Sequence, residues 1–199
     1  METAIGKLFI VSAPSGAGKT SLVNELVARA GKRHSLSRLV TYTSREPRKG
    51  EVPGQDYHFI GQGDFEAKIR EGYFLEWVNA LGSYYGTGMS VLNHVASGKS
   101  GVLVLDRPGA RRVYEQFPAV LIWLTAPSLE DLKQRLMLRG TETEPQIARR
   151  LTRAAEEIAQ EEAEKLYHYT VENGDFGQAA DLLEQIVDKE LGKKANQPL

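Results

Sequence analysis

The sequence predicts an α/β protein with a three-layer core, in which a parallel sheet is covered by helices on both faces, and a smaller lobe of mixed sheet plus helix inserted into it. Three observations carry this. Apolar β-rich runs alternate with helical patterns along the chain. The segments LFIV, VLVL and VLIWL are continuously apolar rather than alternating, as strands buried on both faces must be. Between residues 38 and 93 the texture changes to Gly- and Pro-punctuated loops and short aromatic segments. At 199 residues the chain can fill one core with a small appended lobe and does not require two independently folding domains.

Taken in order, a strand is expected over residues 8–12 and a helix over residues 18–30, opening a core that also includes residues 94–138 and 166–191. The inserted stretch holds a polar loop over residues 45–55 and a helix-like segment over residues 64–71. Around that segment Tyr57, Phe59, Phe65, Tyr73, Phe74, Trp77, Tyr84 and Tyr85 suffice for a small mixed sheet packed on the helix. The core resumes with a strand over 102–106, a helix near 110–116, a strand over 120–125 and a helix from residue 128. Residues 129–165, rich in Glu, Arg, Ala and Leu, read as two charged helices joined by a turn over 139–145, with most of their Glu and Lys solvated in weak i,i+4 pairs. A strand over 169–171 and a helix over 176–191 complete the layers. The polar tail from residue 192 to 199 has little to bury and is expected to fray.

Lys and Arg number 25 against 26 Asp and Glu, a formal net charge of −1, which argues against non-specific nucleic-acid or membrane-surface binding. The absence of Cys excludes disulfides, thiolate metal sites and Cys nucleophiles. The first residues lack a basic region followed by a long apolar run, so a soluble, cytoplasmic protein with no nucleic-acid or membrane partner is expected. His34, His58, His94 and His168 show no paired ligand spacing, and oligomeric state is not legible.

Directly after the first strand the chain reads A-P-S-G-A-G-K-T, that is Ala13, Pro14, Ser15, Gly16, Ala17, Gly18, Lys19 and Thr20. This is the GxxxxGK[ST] pattern with Ala13 at the first Gly position. A polyphosphate needs several backbone N–H donors pointing inward, which calls for small residues and unusual dihedrals, here supplied by Gly16 and Gly18. The following helix points its positive end at the same place. Lys19 can bridge β- and γ-phosphates as a mobile charge, and the Thr20 hydroxyl is placed to ligate the Mg²⁺ that travels with the nucleotide. The plain alternative is a Gly-rich turn that binds nothing, and the order of strand, loop, Lys-Thr and helix weighs against it. The motif says nucleotide and leaves the reaction open.

Further along come T-Y-T-S-R-E-P-R-K-G-E at residues 41–51, D-Y at Asp56 and Tyr57, L-E-W at 75–77, S-Y-Y-G-T at 83–87 and R-G-T-E-T-E at 139–144. Together with the phosphate loop these resemble the guanylate kinase family, from about residue 7 to about residue 191. The resemblance implies one domain over residues 1–199: a three-layer P-loop kinase core, a GMP-binding lobe over about 38–93 and a helical lid over about 139–165. It implies transfer of the γ-phosphoryl group of ATP to GMP, with Mg²⁺ accompanying ATP. In the family the arginines matching Arg45 and Arg48 hold the GMP phosphate, and the tyrosines matching Tyr57 and Tyr85 add hydroxyl donors. Two guanidinium forks suit a phosphate dianion better than lysines would. The family glutamate matching Glu76 accepts from guanine N1–H and the 2-amino group, the hydroxyls matching Thr41 and Thr87 reach the guanine edge, and Asp106 lies nearby. Arg139 and Arg150, with Arg135 one turn before Arg139, match lid arginines that close over ATP. Lys19, Arg45, Arg139 and Arg150 are thus the groups implied on the transferring phosphoryl, and Asn173 matches an asparagine near the adenine end.

The chain departs from the family at two places. Gly174 stands where an aspartate is usual, and V-L-D-R-P-G carries Val104 at the first of two acidic positions while keeping Asp106 at the second. Strand alternation would point Val104 and Asp106 the same way, so one of two carboxylates is missing and slower turnover is expected. Two rivals stay open. A non-catalytic interaction module of the same likeness is disfavoured by intact Gly16, Gly18, Lys19 and Thr20. A kinase for another small phosphorylated substrate is disfavoured by Glu76 with Thr41 and Thr87.

Overall fold

The structure is a computed structural model that describes residues 5–14, 16–48, 50–80, 82–138, 140 and 142–192. In chain order it contains β1 (Leu8–Ser12), α1 (Lys19–His34), β2 (Leu36–Arg38), β3 (Thr41–Thr43), β4 (Tyr57–Phe59), α2 (Gln62–Arg70), β5 (Phe74–Ala80) and β6 (Ser83–Gly88). There follow α3 (Ser90–Ala96), β7 (Ser100–Val104), α4 (Arg107–Gln116), β8 (Ala119–Thr125), α5 (Leu129–Leu138), α6 (Glu144–Glu164), β9 (Tyr169–Glu172) and α7 (Phe176–Gly192).

The larger sheet runs β2-β7-β1-β8-β9, parallel throughout. Its central strands are buried along most of their length because each face has its own core. Phe9, Val11 and Val102 pack with Leu22, Leu26 and Leu183 from α1 and α7, whereas Leu8, Ile10 and Leu103 pack with Val91, Val95 and Val113 from α3 and α4. This is the three-layer arrangement read from the sequence. The smaller sheet runs β4-β3-β6-β5, with β3–β4 parallel and the other pairs antiparallel. Phe65 of α2 is fully buried and stacks on Phe74 at 4.4 Å and on Tyr84 at 5.2 Å, so the aromatic segments form this lobe's core. Between the two sheets Arg38 donates to Asp56 O at 3.2 Å and to Asn24 Oδ1 at 3.2 Å, tying β2 and α1 to the foot of β4.

Several bounds differ from expectation for local reasons. β2 and α3 are too short to announce themselves in composition, and the expected boundary at residues 93 and 94 falls inside α3. Helix α1 continues to His34 because Ser35, at φ 48°, ends it with a left-handed residue where no glycine signals the stop. Pro145 belongs to the first turn of α6 rather than to the preceding loop, and Thr143 with Gln146 closes a capping box there. Strand β7 ends at Val104, two residues early, so alternation does not place Asp106. That side chain instead N-caps α4, accepting from the Gly109 backbone N–H at 3.0 Å, with Pro108 tolerated in the first turn.

Candidate functional site

The loop between β1 and α1 follows from its glycines. Gly16 and Gly18 have φ of 94° and 88°. A Cβ at Gly18 would also lie 2.6 Å from Asn173 Nδ2, so both backbone and space demand glycine. Ala13 is buried and not among the positive-φ residues, which is why alanine serves where the pattern has glycine. Lys19 donates across the loop to Ala13 O, Pro14 O accepts from Ala17 N–H, and Thr20 stands exposed in the first turn of α1. Asn173 is buried just past β9. It donates from Nδ2 to Ala17 O at 2.8 Å and from its backbone N–H to Thr125 O at 2.8 Å, fastening the ends of β8 and β9 to the loop. Arg135 of α5 donates to Asn173 O at 2.6 Å. Ser15 lies outside the described residues.

In the lobe Glu76 is 5% exposed and accepts from Thr87 Oγ1 at 2.7 Å across the β5–β6 pair. Burial, helped by the Asp106 carboxylate, pushes its pKa up to about 7 against the opposing pull of Thr87 and Arg112. Gly109 makes room for both carboxylates, since a Cβ there would come within 3.1 Å of Asp106 Oδ1 and 3.2 Å of Glu76 Oε2. Thr41 is buried on β3, in register with Tyr57 of β4. Arg45 forms a bidentate pair with Glu51 at 2.6 and 2.7 Å, its guanidinium lies 5.2 Å from the Tyr57 ring centroid, and its buried Nε has no hydrogen-bond partner among the described residues. Burial alone would raise the Glu51 pKa, but hydrogen bonds from Arg45 and the Arg48 backbone turn the shift downward. Tyr57 and Tyr85 meet edge to face at 6.1 Å, and burial raises the Tyr57 pKa. The Arg48 side chain is exposed beside this cluster.

On the helical pair, Arg150 of α6 meets Glu142 at 2.7 Å, and Arg139 lies outside the described residues. Asp106 Oδ2 faces Arg153 of α6 at 3.5 Å. Nearer the end of that helix Arg107, 6% exposed, reaches Glu164 at 2.9 Å and Gln160 O at 3.2 Å, so the root of α6 is fastened to the start of α4. The molecule thus presents a glycine-bearing loop with Lys19 and Thr20 on the core, and on the lobe the Arg45–Glu51 pair with its tyrosines together with the buried Glu76 carboxylate. The sequence model described as Guanylate kinase matches residues 5–190.

The chain belongs to the guanylate kinase family. The guanylate kinase of Nitrosospira multiformis is 42% identical over 199 residues, covering 99% of this chain and 92% of the relative. That of Methylococcus capsulatus is 43% identical over 184 residues, covering 92% and 87%. A solved guanylate kinase from Anaplasma phagocytophilum superposes with a TM-score of 0.78 at 29% identity, over 98% of this chain and 90% of its own.

In this guanylate kinase family member four charged neighbours of the site have no role assigned by the sequence motifs. Glu51 stood in a quoted motif without a role, although its spacing from Arg45 allows an ion pair. Glu142, Arg112 and Arg153 look like solvated charge in the sequence, and only tertiary packing sets them against Arg150, β5 and Asp106.

Proposed function

We infer that this chain phosphorylates GMP at the expense of ATP, giving ADP and GDP, with the phosphate loop as its ATP site and the smaller sheet as its GMP site. The observation that carries the reading of the base is the buried Glu76 carboxylate held by Thr87. Ionised, it can accept from guanine N1–H and the 2-amino group, with Thr41, Thr87 and Asp106 around the same edge. Adenine would set a lone pair against it and leave a buried acceptor unmet, which supports strong discrimination.

The reaction forms a bond from a GMP phosphate oxygen to the γ-phosphorus and breaks the bond to the β,γ-bridging oxygen, whose electron pair leaves with ADP. A phosphate oxygen is already nucleophilic, so in-line placement and charge neutralisation do most of the catalysis. Lys19, with Arg135 of α5 and with Arg139 and Arg150 of the lid, acts on the ATP phosphates. Arg45 and Arg48 hold the acceptor phosphate, and Tyr57 and Tyr85 add donors. Asn173 shapes the loop from behind. The exposed Thr20 hydroxyl suits a nucleotide-borne Mg²⁺, which takes most of its ligands from phosphate and water and would draw charge from the β- and γ-oxygens. Closure of the lobe, residues 38–93, and the lid, residues 139–165, over both substrates would keep water from the γ-phosphorus.

No helix among the described residues is long and apolar enough to cross a membrane. A cytoplasmic site of action, with ATP and GMP as partners, is part of the same reading. A coupled assay offering ATP with GMP, AMP, UMP or dTMP tests it. ADP should form with GMP and not appreciably with the others. No turnover with GMP, or equal turnover with another monophosphate, overturns it.

A further inference from the structure

Among the described residues strand β5 is an edge strand, hydrogen-bonded in its sheet to β6. On its open side the carbonyls of alternate residues point away from the sheet and need partners. The two that flank Glu76 are both supplied by α4. Gln116 Nε2 donates to Leu75 O at 3.1 Å, and Arg112 Nη1 donates to Trp77 O. The spacing explains why a helix can do this. Four residues along α4 rise about 6 Å, and two residues along a strand rise about 6.7 Å, so an i,i+4 pair of donors matches an i,i+2 pair of carbonyls. Gln116 is held in turn by a bond to the Arg112 carbonyl at 2.9 Å. The same helix turns Gly109 toward the Glu76 carboxylate and carries Asp106 at its N-cap.

We propose that Arg112 and Gln116 are positioning residues for base choice: by clamping the backbone on either side of Glu76 they fix where its carboxylate meets the guanine edge. The proposal rests on the reading of Glu76 as the guanine-binding group. Arg112 has a second effect through its charge. The charged groups that face Glu76 are Asp106 and Arg112, both from α4, while β6 offers the Thr87 hydroxyl and α6 offers Arg153 by way of Asp106. Asp106 favours the protonated carboxyl, and Arg112 favours the carboxylate that guanine requires. Removing Arg112 therefore loosens the strand and also raises the pH needed to ionise Glu76. Gln116 shares only the first of these effects.

The test is steady-state kinetics of the full chain and of Arg112→Met, Arg112→Lys and Gln116→Leu, varying GMP and ATP separately across pH, with thermal unfolding alongside. Arg112→Met should raise the GMP KM by about tenfold while leaving kcat and the ATP KM within about twofold. It should also move the acid limb of kcat/KM for GMP to higher pH. Arg112→Lys should return the limb to its parental place and recover most of the KM, and Gln116→Leu should raise the GMP KM without moving the limb. A parental GMP KM and acid limb in Arg112→Met would show that this arginine is ordinary solvated charge. Equal rises in both substrates' KM would place the damage outside the base site and also overturn the proposal. If Arg112→Met does not fold, Gln116→Leu decides: an unchanged GMP KM there removes the clamp. Absence of GMP phosphorylation by the parent would instead strike the proposed function, so the two failures are distinguishable.

Discussion

Replacing Glu76 by Gln separates the strain this carboxylate places on the fold from its use to the site. Its pKa lies at an ordinary 4.5 when unfolded and at about 7 in the folded protein. With the folded value the higher, the native state holds the extra proton between them. The corresponding stability is fully present below 4.5 and is lost as pH rises through about 7. At about 1.4 kcal/mol per pH unit the loss is about 3 kcal/mol, and solvent screens it little because the side chain is 5% exposed. Gln brings no charge and can still accept from Thr87. The variant should therefore gain on the parent between pH 5 and pH 8 by about 2 to 3 kcal/mol, or about 4 to 12 °C in Tm for a domain of this size. The same change should harm GMP use, since an amide offers one acceptor and sets a donor against guanine's donors. Losing one charge-assisted bond is worth about 1.5 to 3 kcal/mol, a rise of about 10- to 150-fold in GMP KM. Thermal unfolding at pH 5 and pH 8, together with GMP kinetics, reads both effects. Identical pH dependence in parent and variant would refute the account of Glu76 as a carboxyl held protonated by burial, and an unchanged GMP KM would remove it from the base site.

Three further outcomes are expected. Lys19→Ala should lower kcat by about a thousandfold with thermal unfolding close to the parent's, because Lys19 is half-exposed at the start of α1 and is no part of the apolar core; near-normal turnover would sink the ATP-site assignment. Arg45→Ala should raise the GMP KM by about 10- to 150-fold, the value of one charge-assisted bond, and leave the ATP KM alone; equal damage to both affinities would place Arg45 on the wrong substrate. Val104→Asp should raise kcat by about tenfold while lowering Tm, because Val104 packs half-buried against the core beneath α1 and α7; an unchanged or lower rate would show that the missing carboxylate does not limit this enzyme.

The parts legible in the sequence were those whose chemistry is local. Gly16 and Gly18 announce a tight loop between strand and helix because they supply its dihedral freedom within a few residues, and the uninterrupted apolar strands announce a sheet covered twice. The aromatic spacing of the lobe likewise foretold a separate small core. Features set by tertiary contact stayed hidden. Asp106 looked like the end of a strand and proved to be a helix cap, because a side-chain bond to Gly109 N–H competes with one more residue of pairing. Ser35 ends α1 at a positive φ that its residue type does not signal. Arg107 stands at the start of α4, yet α6 folds over it and leaves it buried among Gln160, Glu161 and Glu164.

The bidentate pair of Arg45 with Glu51 bears on which anions can enter at all. On the proposed reading, an incoming phosphate does not find a bare cation; it must displace a carboxylate that the protein itself supplies. Glu51 acts as a tethered competitor whose local concentration does not fall on dilution. A monoanion such as chloride or acetate swaps one charge for one charge and surrenders its hydration besides, so the exchange gains it nothing. A phosphate dianion brings a second charge and further acceptor oxygens for Arg48 and the tyrosine hydroxyls, and can win the exchange. A nucleoside without phosphate has nothing to trade. Glu51 thereby screens for doubly charged ligands before Glu76 reads the base, and simple monovalent anions should compete poorly for the site.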